Sequence, residues 1–117
     1  MKRVVLALAL MLGGASVALG TETRCGWLQN PTPANWWLDD NAGSWTIMTQ
    51  GGNDEPEGMD LIPDISEHDY VNTNGNYGYA CACMHVETDG DKHITKILSV
   101  RQLKLAKCQK DASLPAP

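Results

Sequence analysis

The chain has 117 residues, 14 acidic against 9 basic side chains, a net charge of −5, four cysteines and no phenylalanine. That length suits one domain with little room for a deep substrate cleft, and it buries only roughly 60–65% of its unfolded surface, so cross-links are a common remedy. The acidic balance argues against nucleic acid as a partner, because an excess of carboxylates repels a polyanion.

The opening "MKRVVLALALMLGGASVALG" sets Lys2 and Arg3 before an apolar run from Val4 to about Leu12 and ends in small residues. That is the order of a cleavable secretory signal over residues 1–20. A membrane span needs roughly 20 apolar residues, and Gly13 and Gly14 interrupt this run. Cys25 lies too far behind the cleavage point to carry a lipid. Residues 21–117 are expected to be a single exported domain, periplasmic or secreted, with no membrane contact after cleavage. Losing Lys2 and Arg3 leaves 7 bases against the same 14 acids.

From Arg24 to Asn35, "RCGWLQNPTPAN" carries Pro31 and Pro33, which force extended backbone at Asn30 and Thr32. An irregular N-terminal arm is expected there. "WWL" at 36–38 and "SWTIMTQ" at 44–50 flank the turn residues "DDNAGS", which predicts a hairpin with Trp45, Ile47 and Thr49 on one face. Adjacent Trp36 and Trp37 cannot both face one core, so one packs under the arm or stands out as a binding anchor.

Gly51 to Asp69 carries seven acids and neither Lys nor Arg. It predicts a long loop with one helical turn near Ile65 to His68. Its "NDEPEGMD" lacks the ligand order of an EF-hand, so a solvated loop is preferred to a calcium site.

A short strand at 69–72, an Asn74–Gly75 turn and a long strand over 77–88 follow. A hairpin turn around Asp89–Gly90 leads into a strand over 93–100, with Ile94, Leu98 and Val100 inward. "RQLKLAKC" closes the domain as a strand or short helix, and "LPAP" is expected to fray. Residues 77–86 are apolar or small on both faces, the pattern of a central strand covered on each side. The fold expected is mostly β: a small disulfide-linked barrel resembling the oligonucleotide/oligosaccharide-binding barrel, or a compact β-sandwich, with a long acidic loop.

Within "YGYACACMH", Cys81, Cys83 and His85 share one face of the strand. As metal ligands they would suit zinc or copper(I), but structural zinc sites draw cysteines from tight turns. An even cysteine count in an exported chain reads instead as two disulfides. Cα atoms two residues apart on a strand lie about 6.6 Å from each other, the limit of what a disulfide spans, so Cys81 and Cys83 each reach outward to Cys25 or Cys108. Cys25–Cys81 with Cys83–Cys108 is narrowly preferred over the alternative. No metal or other cofactor is called for.

"RCGWLQNPTPANWWL", "SWTIMTQGG" and "YGYACAC", in this order, resemble a family of small secreted bacterial proteins known only as a domain of unknown function. The resemblance implies an exported protein with paired cysteines and carries no activity or site residue with it.

Catalysis finds no support in the residues. No serine stands in a nucleophile elbow, the cysteines are used in disulfides, and the histidines lack metal-binding spacing. The expectation is a non-enzymatic cell-envelope binding module, an inhibitor of a basic exported or wall-degrading enzyme. Asp54, Glu55, Glu57 and Asp60 of the acidic loop would act as contacts and the loop as a plug. The alternatives are a glycan- or peptidoglycan-binding domain stacking sugars on Trp36, Trp37 and Tyr77, and a purely structural secreted protein.

Overall fold

The computed structural model describes residues 20–53 and 55–117; the signal read over residues 1–20 falls almost wholly outside them, and so does Asp54. Among the described residues six antiparallel strands form one sheet: β1 (Glu22–Thr32), β2 (Asn35–Asp40), β3 (Gly43–Met48), β4 (Tyr70–Asn74), β5 (Tyr77–Thr88) and β6 (Ile94–Leu103). A single-turn helix, α1 (Leu105–Gln109), closes the chain. The order across the sheet is β3-β2-β1-β5-β4, with β6 also paired to β5. Strand β4 takes the first residues of β5, up to Ala80, and β6 takes the rest, from Cys81.

The segment read as an irregular arm is the strand beside the centre. Its nine register pairs with β5 run from Glu22↔Val86 to Asn30↔Gly78. The extended backbone that proline imposes is compatible with a strand. Pro31 and Pro33 lie where β1 ends and turns into β2, so they remove no donor from the middle of the ladder.

The sheet is neither a closed barrel nor half of a sandwich. A single parallel bridge, Thr46↔His93, joins the edge strand β3 to the residue before β6, so the sheet curls without closing. The segment Pro56–Asp69 covers its concave face instead of a second sheet. Ile65 is buried there, with Met59 and Ile62 against the same core of Leu28, Leu38, Ile47, Met84, Val86 and Ile97. Burying Ile65 contributes roughly 2 kcal/mol to holding the segment down. Backbone contacts add to this: Ile97 N–H donates to Glu57 O at 2.8 Å, and 3-10 turns form at Met59–Leu61 and Ile65–Glu67. Gly58 makes the approach possible. Its φ is 85°, and a Cβ there would sit 2.1 Å from Ile97 O.

Strand β5 is central and apolar on both faces, as its sequence requires. Ala80, Ala82, Met84 and Val86 face the main core. On the other face Cys81 joins Trp27 and Cys108 in a smaller cluster, flanked by Tyr79, Leu103, Leu105 and Leu114. The C-terminal tail is docked rather than frayed as far as Pro115, whose carbonyl accepts a bond from Trp27 Nε1 at 3.1 Å.

Two disulfides form, Cys25–Cys83 and Cys81–Cys108, which reverses the preferred pairing. Two register facts decide it. Cys25 lies directly opposite Cys83 across β1 and β5. Two irregularities in the β5–β6 ladder carry β6 on to Leu103 opposite Cys81, so α1 brings Cys108 over Cys81 and not Cys83. The same irregularities change which β6 residues point inward. Ile94 and Ile97 are buried and Val100 packs on the core, whereas Leu98, expected inward, is exposed.

Candidate functional site

The acidic segment does not project as a plug. Between Pro56, which is buried, and Asp69 it lies along the sheet as a strap, with Met59, Ile62 and Ile65 inward and its acids outward. Glu55, Glu57, Asp60, Asp64, Glu67 and Asp69 are all exposed. Leu61 stands among them 45% exposed, an apolar side chain without cover that no sequence pattern singled out. The Asp64 carboxyl is held below its ordinary range by bonds from the Ser66 hydroxyl and backbone N–H, and it caps the second 3-10 turn.

Bases of β6 and the residue after it border the acidic strap. Lys96 Nζ lies 4.0 Å from Glu57 across the strap–β6 bridge. Arg101 and Lys104 share a cavity of about 580 Å³ with His68, Asp69 and Gln102 at the strap's end. Gln102 ties the two together, donating to Ile65 O at 3.1 Å and Asp69 O at 3.0 Å. The strap is therefore an acidic face with a basic margin.

The aromatic candidates line two cavities, and Trp36 borders both. Trp36 and Tyr77 come together, both half-buried, lining a cavity of about 480 Å³ with strap residues Ile62 to Ser66. Alternation along β2 turns Trp36 and Leu38 to the core and Trp37 away from it. Trp36 packs against the core, while Trp37 is held by its own Nε1–H donating to Asp39 Oδ2 at 3.2 Å. Asp39 also accepts from the Ser44 hydroxyl, and these groups with Trp36, Thr46 and Thr49 border a cavity of about 310 Å³.

One charged cluster escaped sequence reasoning. Asp40 is buried, 4% exposed, and its Oδ2 accepts from Arg24 at 2.8 Å. Its Oδ1 accepts from Trp45 Nε1–H at 2.9 Å and Ala42 N–H at 2.8 Å. Burial alone would push the carboxyl up. The bonds from Arg24, Ala42 and Trp45 outweigh that and hold it below the usual range. Arg24 also pairs with Glu22 at 2.6 Å, and its guanidinium lies 3.8 Å from the Trp45 ring centroid. This cluster locks the β1–β2–β3 corner. No short motif announces it, because Arg24 and Asp40 meet only through strand pairing.

The Cys81–Cys83–His85 metal alternative does not form. Both cysteines are in disulfides, and among the described residues no cysteine is free. His85 is half-buried, with Nδ1 3.2 Å from the Thr23 hydroxyl. Among the described residues, metal-ligating side chains gather instead on the β5–β6 turn, where ligand atoms of Asp89, Asp91 and His93 lie within 4.8 Å of one another. Asp89 already serves the turn itself. It accepts from the N–H groups of Asp91 at 2.8 Å and His93 at 3.0 Å, and those bonds hold its carboxyl below the ordinary range.

No helix among the described residues is long and apolar enough to cross a membrane. The chain belongs to the family described as protein of unknown function (DUF4087), which it matches over residues 19–115. No curated protein and no solved structure gives a significant match.

Proposed function

We propose that the protein is a non-enzymatic binding module of the bacterial cell envelope whose acidic strap engages a basic exported protein, a wall-degrading enzyme being the model partner. One observation carries the reading: the strap's acids are all turned outward on a segment whose backbone is pinned to the sheet. A rigid carboxylate array speeds encounter with a cationic surface and loses little entropy on binding. Exposed Leu61, amid the acids, supplies an apolar contact for a partner to cover. Two disulfides suit an oxidising compartment outside the cytosol.

The test is titration calorimetry with basic wall-degrading enzymes, at about 0.05 M and about 0.5 M salt. Binding at low salt should weaken at least about tenfold at high salt, where the Debye length drops below about 5 Å. A Glu55→Gln/Glu57→Gln/Asp60→Asn variant should lose it at both. Absent or salt-independent binding refutes the proposal. The glycan reading draws on Trp37 beside the Asp39 carboxylate and Ser44 hydroxyl, an aromatic face next to hydrogen-bonding groups. It expects tryptophan fluorescence to change with peptidoglycan fragments in a salt-insensitive way.

A further inference from the structure

The two disulfides are covered very differently. Cys81 and Cys108 are 1% and 4% exposed beneath the last helix and tail. The Cys25–Cys83 bond lies on the open outer face of the sheet, with Cys25 exposed and Cys83 half-buried. Strand register surrounds it with specific neighbours. Cys83 pairs with Cys25 on one side and Arg101 on the other, making a row across β1, β5 and β6. The adjacent row on the same face is Thr23–His85–Ser99. Directly paired residues project from the same side of an antiparallel sheet. The two rows border a shallow cavity of about 230 Å³ that contains Cys83, His85 and Arg101. Arg101 is exposed and takes part in none of the ion pairs found among the described residues.

We propose that Cys25–Cys83 is a thiol–disulfide exchange site that accepts electrons from the dithiol of another exported protein. The partner's thiolate attacks the sulfur of Cys25, the exposed residue of the pair, and the disulfide breaks with its electron pair leaving on Cys83. The Arg101 guanidinium, opposite Cys83 in the register, stabilises that thiolate, as a neighbouring cation does for reactive cysteines. The partner's second thiol then attacks its own sulfur in the mixed disulfide and releases Cys25. The partner ends as a disulfide, Cys25 and Cys83 end as two thiols, and the partner's two thiol protons are returned to them through solvent. An exposed disulfide is the labile kind, and a buried one resists attack. The sheet does not need the bond to stay paired, because nine register pairs join β1 to β5 and Cys81–Cys108 remains closed. Arg101 also borders the cavity at the strap's end, but the exchange needs none of the strap's carboxylates.

The experiment uses dithiothreitol as the dithiol probe on the native protein, with alkylation of released thiols and peptide mapping. Cys25 and Cys83 should be alkylated at dithiothreitol concentrations at least about tenfold below those that open Cys81–Cys108, with the far-ultraviolet circular dichroism unchanged. Arg101→Gln should slow the opening of Cys25–Cys83 by about threefold or more at pH 7 while leaving the urea midpoint unaltered. Simultaneous opening of both disulfides, earlier opening of the buried one, or an Arg101→Gln variant that opens at the native rate would each overturn the assignment.

Discussion

Replacing Asp40 with asparagine removes one charge from the corner cluster while preserving its shape. The Asn oxygen can still accept from Trp45 and Ala42, whose donors sit 2.9 and 2.8 Å away. What is lost is the charge-assisted bond from Arg24 at 2.8 Å, and Arg24 is left facing an amide. Breaking a buried pair on one side costs about 3–5 kcal/mol. Here the cost falls at or just below the bottom of that range, because the Arg24 side chain is 20% exposed and keeps Glu22 at 2.6 Å. The expected loss is about 2–3 kcal/mol, which for a domain of this size lowers the melting temperature by roughly 10–20 °C. Urea unfolding followed by tryptophan fluorescence measures it, with Trp45 as the local reporter. A cycle with Arg24→Gln should return a coupling of at least about 1 kcal/mol. A loss under about 1 kcal/mol, or additive effects of the two changes, would refute the assignment of Arg24–Asp40 as the lock of this corner.

The same carboxylate predicts the acid limb of stability. Its folded pKa lies below the unfolded value of about 3.9, so its contribution is fully present above that pH and is lost as pH falls through the folded value. Urea midpoints taken between pH 5 and pH 2 should therefore fall more steeply for the native chain than for Asp40→Asn, and parallel curves would count against the pair. Gly58→Ala should cost more than about 2 kcal/mol and loosen the strap, since a Cβ meets Ile97 O at 2.1 Å on a backbone with φ 85°. Gly75→Ala, at φ 60° with open space around it, should cost only about 1 kcal/mol, and equal losses at the two glycines would refute the close-approach argument.

Much of the strand framework is local in origin and could be read along the chain. The β2–β3 hairpin follows from turn-forming residues between two aromatic-rich runs, and β5 spans Tyr77–Thr88 as its apolar pattern requires. The turn at Ile65 and the acid-rich segment were also legible, because side-chain polarity decides which residues stay in water. What that reading could not supply was the effect of neighbours distant in sequence. Pro31 and Pro33 suggested an arm, yet their extended backbone belongs to a strand that only β5 and β2 could reveal.

The residues by themselves determined that the domain is β-rich, that its cysteines pair, and that 51–69 is an acid-rich connection, since composition and periodicity encode these directly. Tertiary structure alone decided the rest. Parity along a strand cannot register an inserted residue, so the β6 irregularities that turn Leu98 outward, move Leu103 opposite Cys81 and thereby choose the disulfide partners were invisible. Arg24 and Asp40, sixteen residues apart, become an ion pair because β1 and β2 run side by side, and the strap lies flat because Gly58 admits a carbonyl from β6.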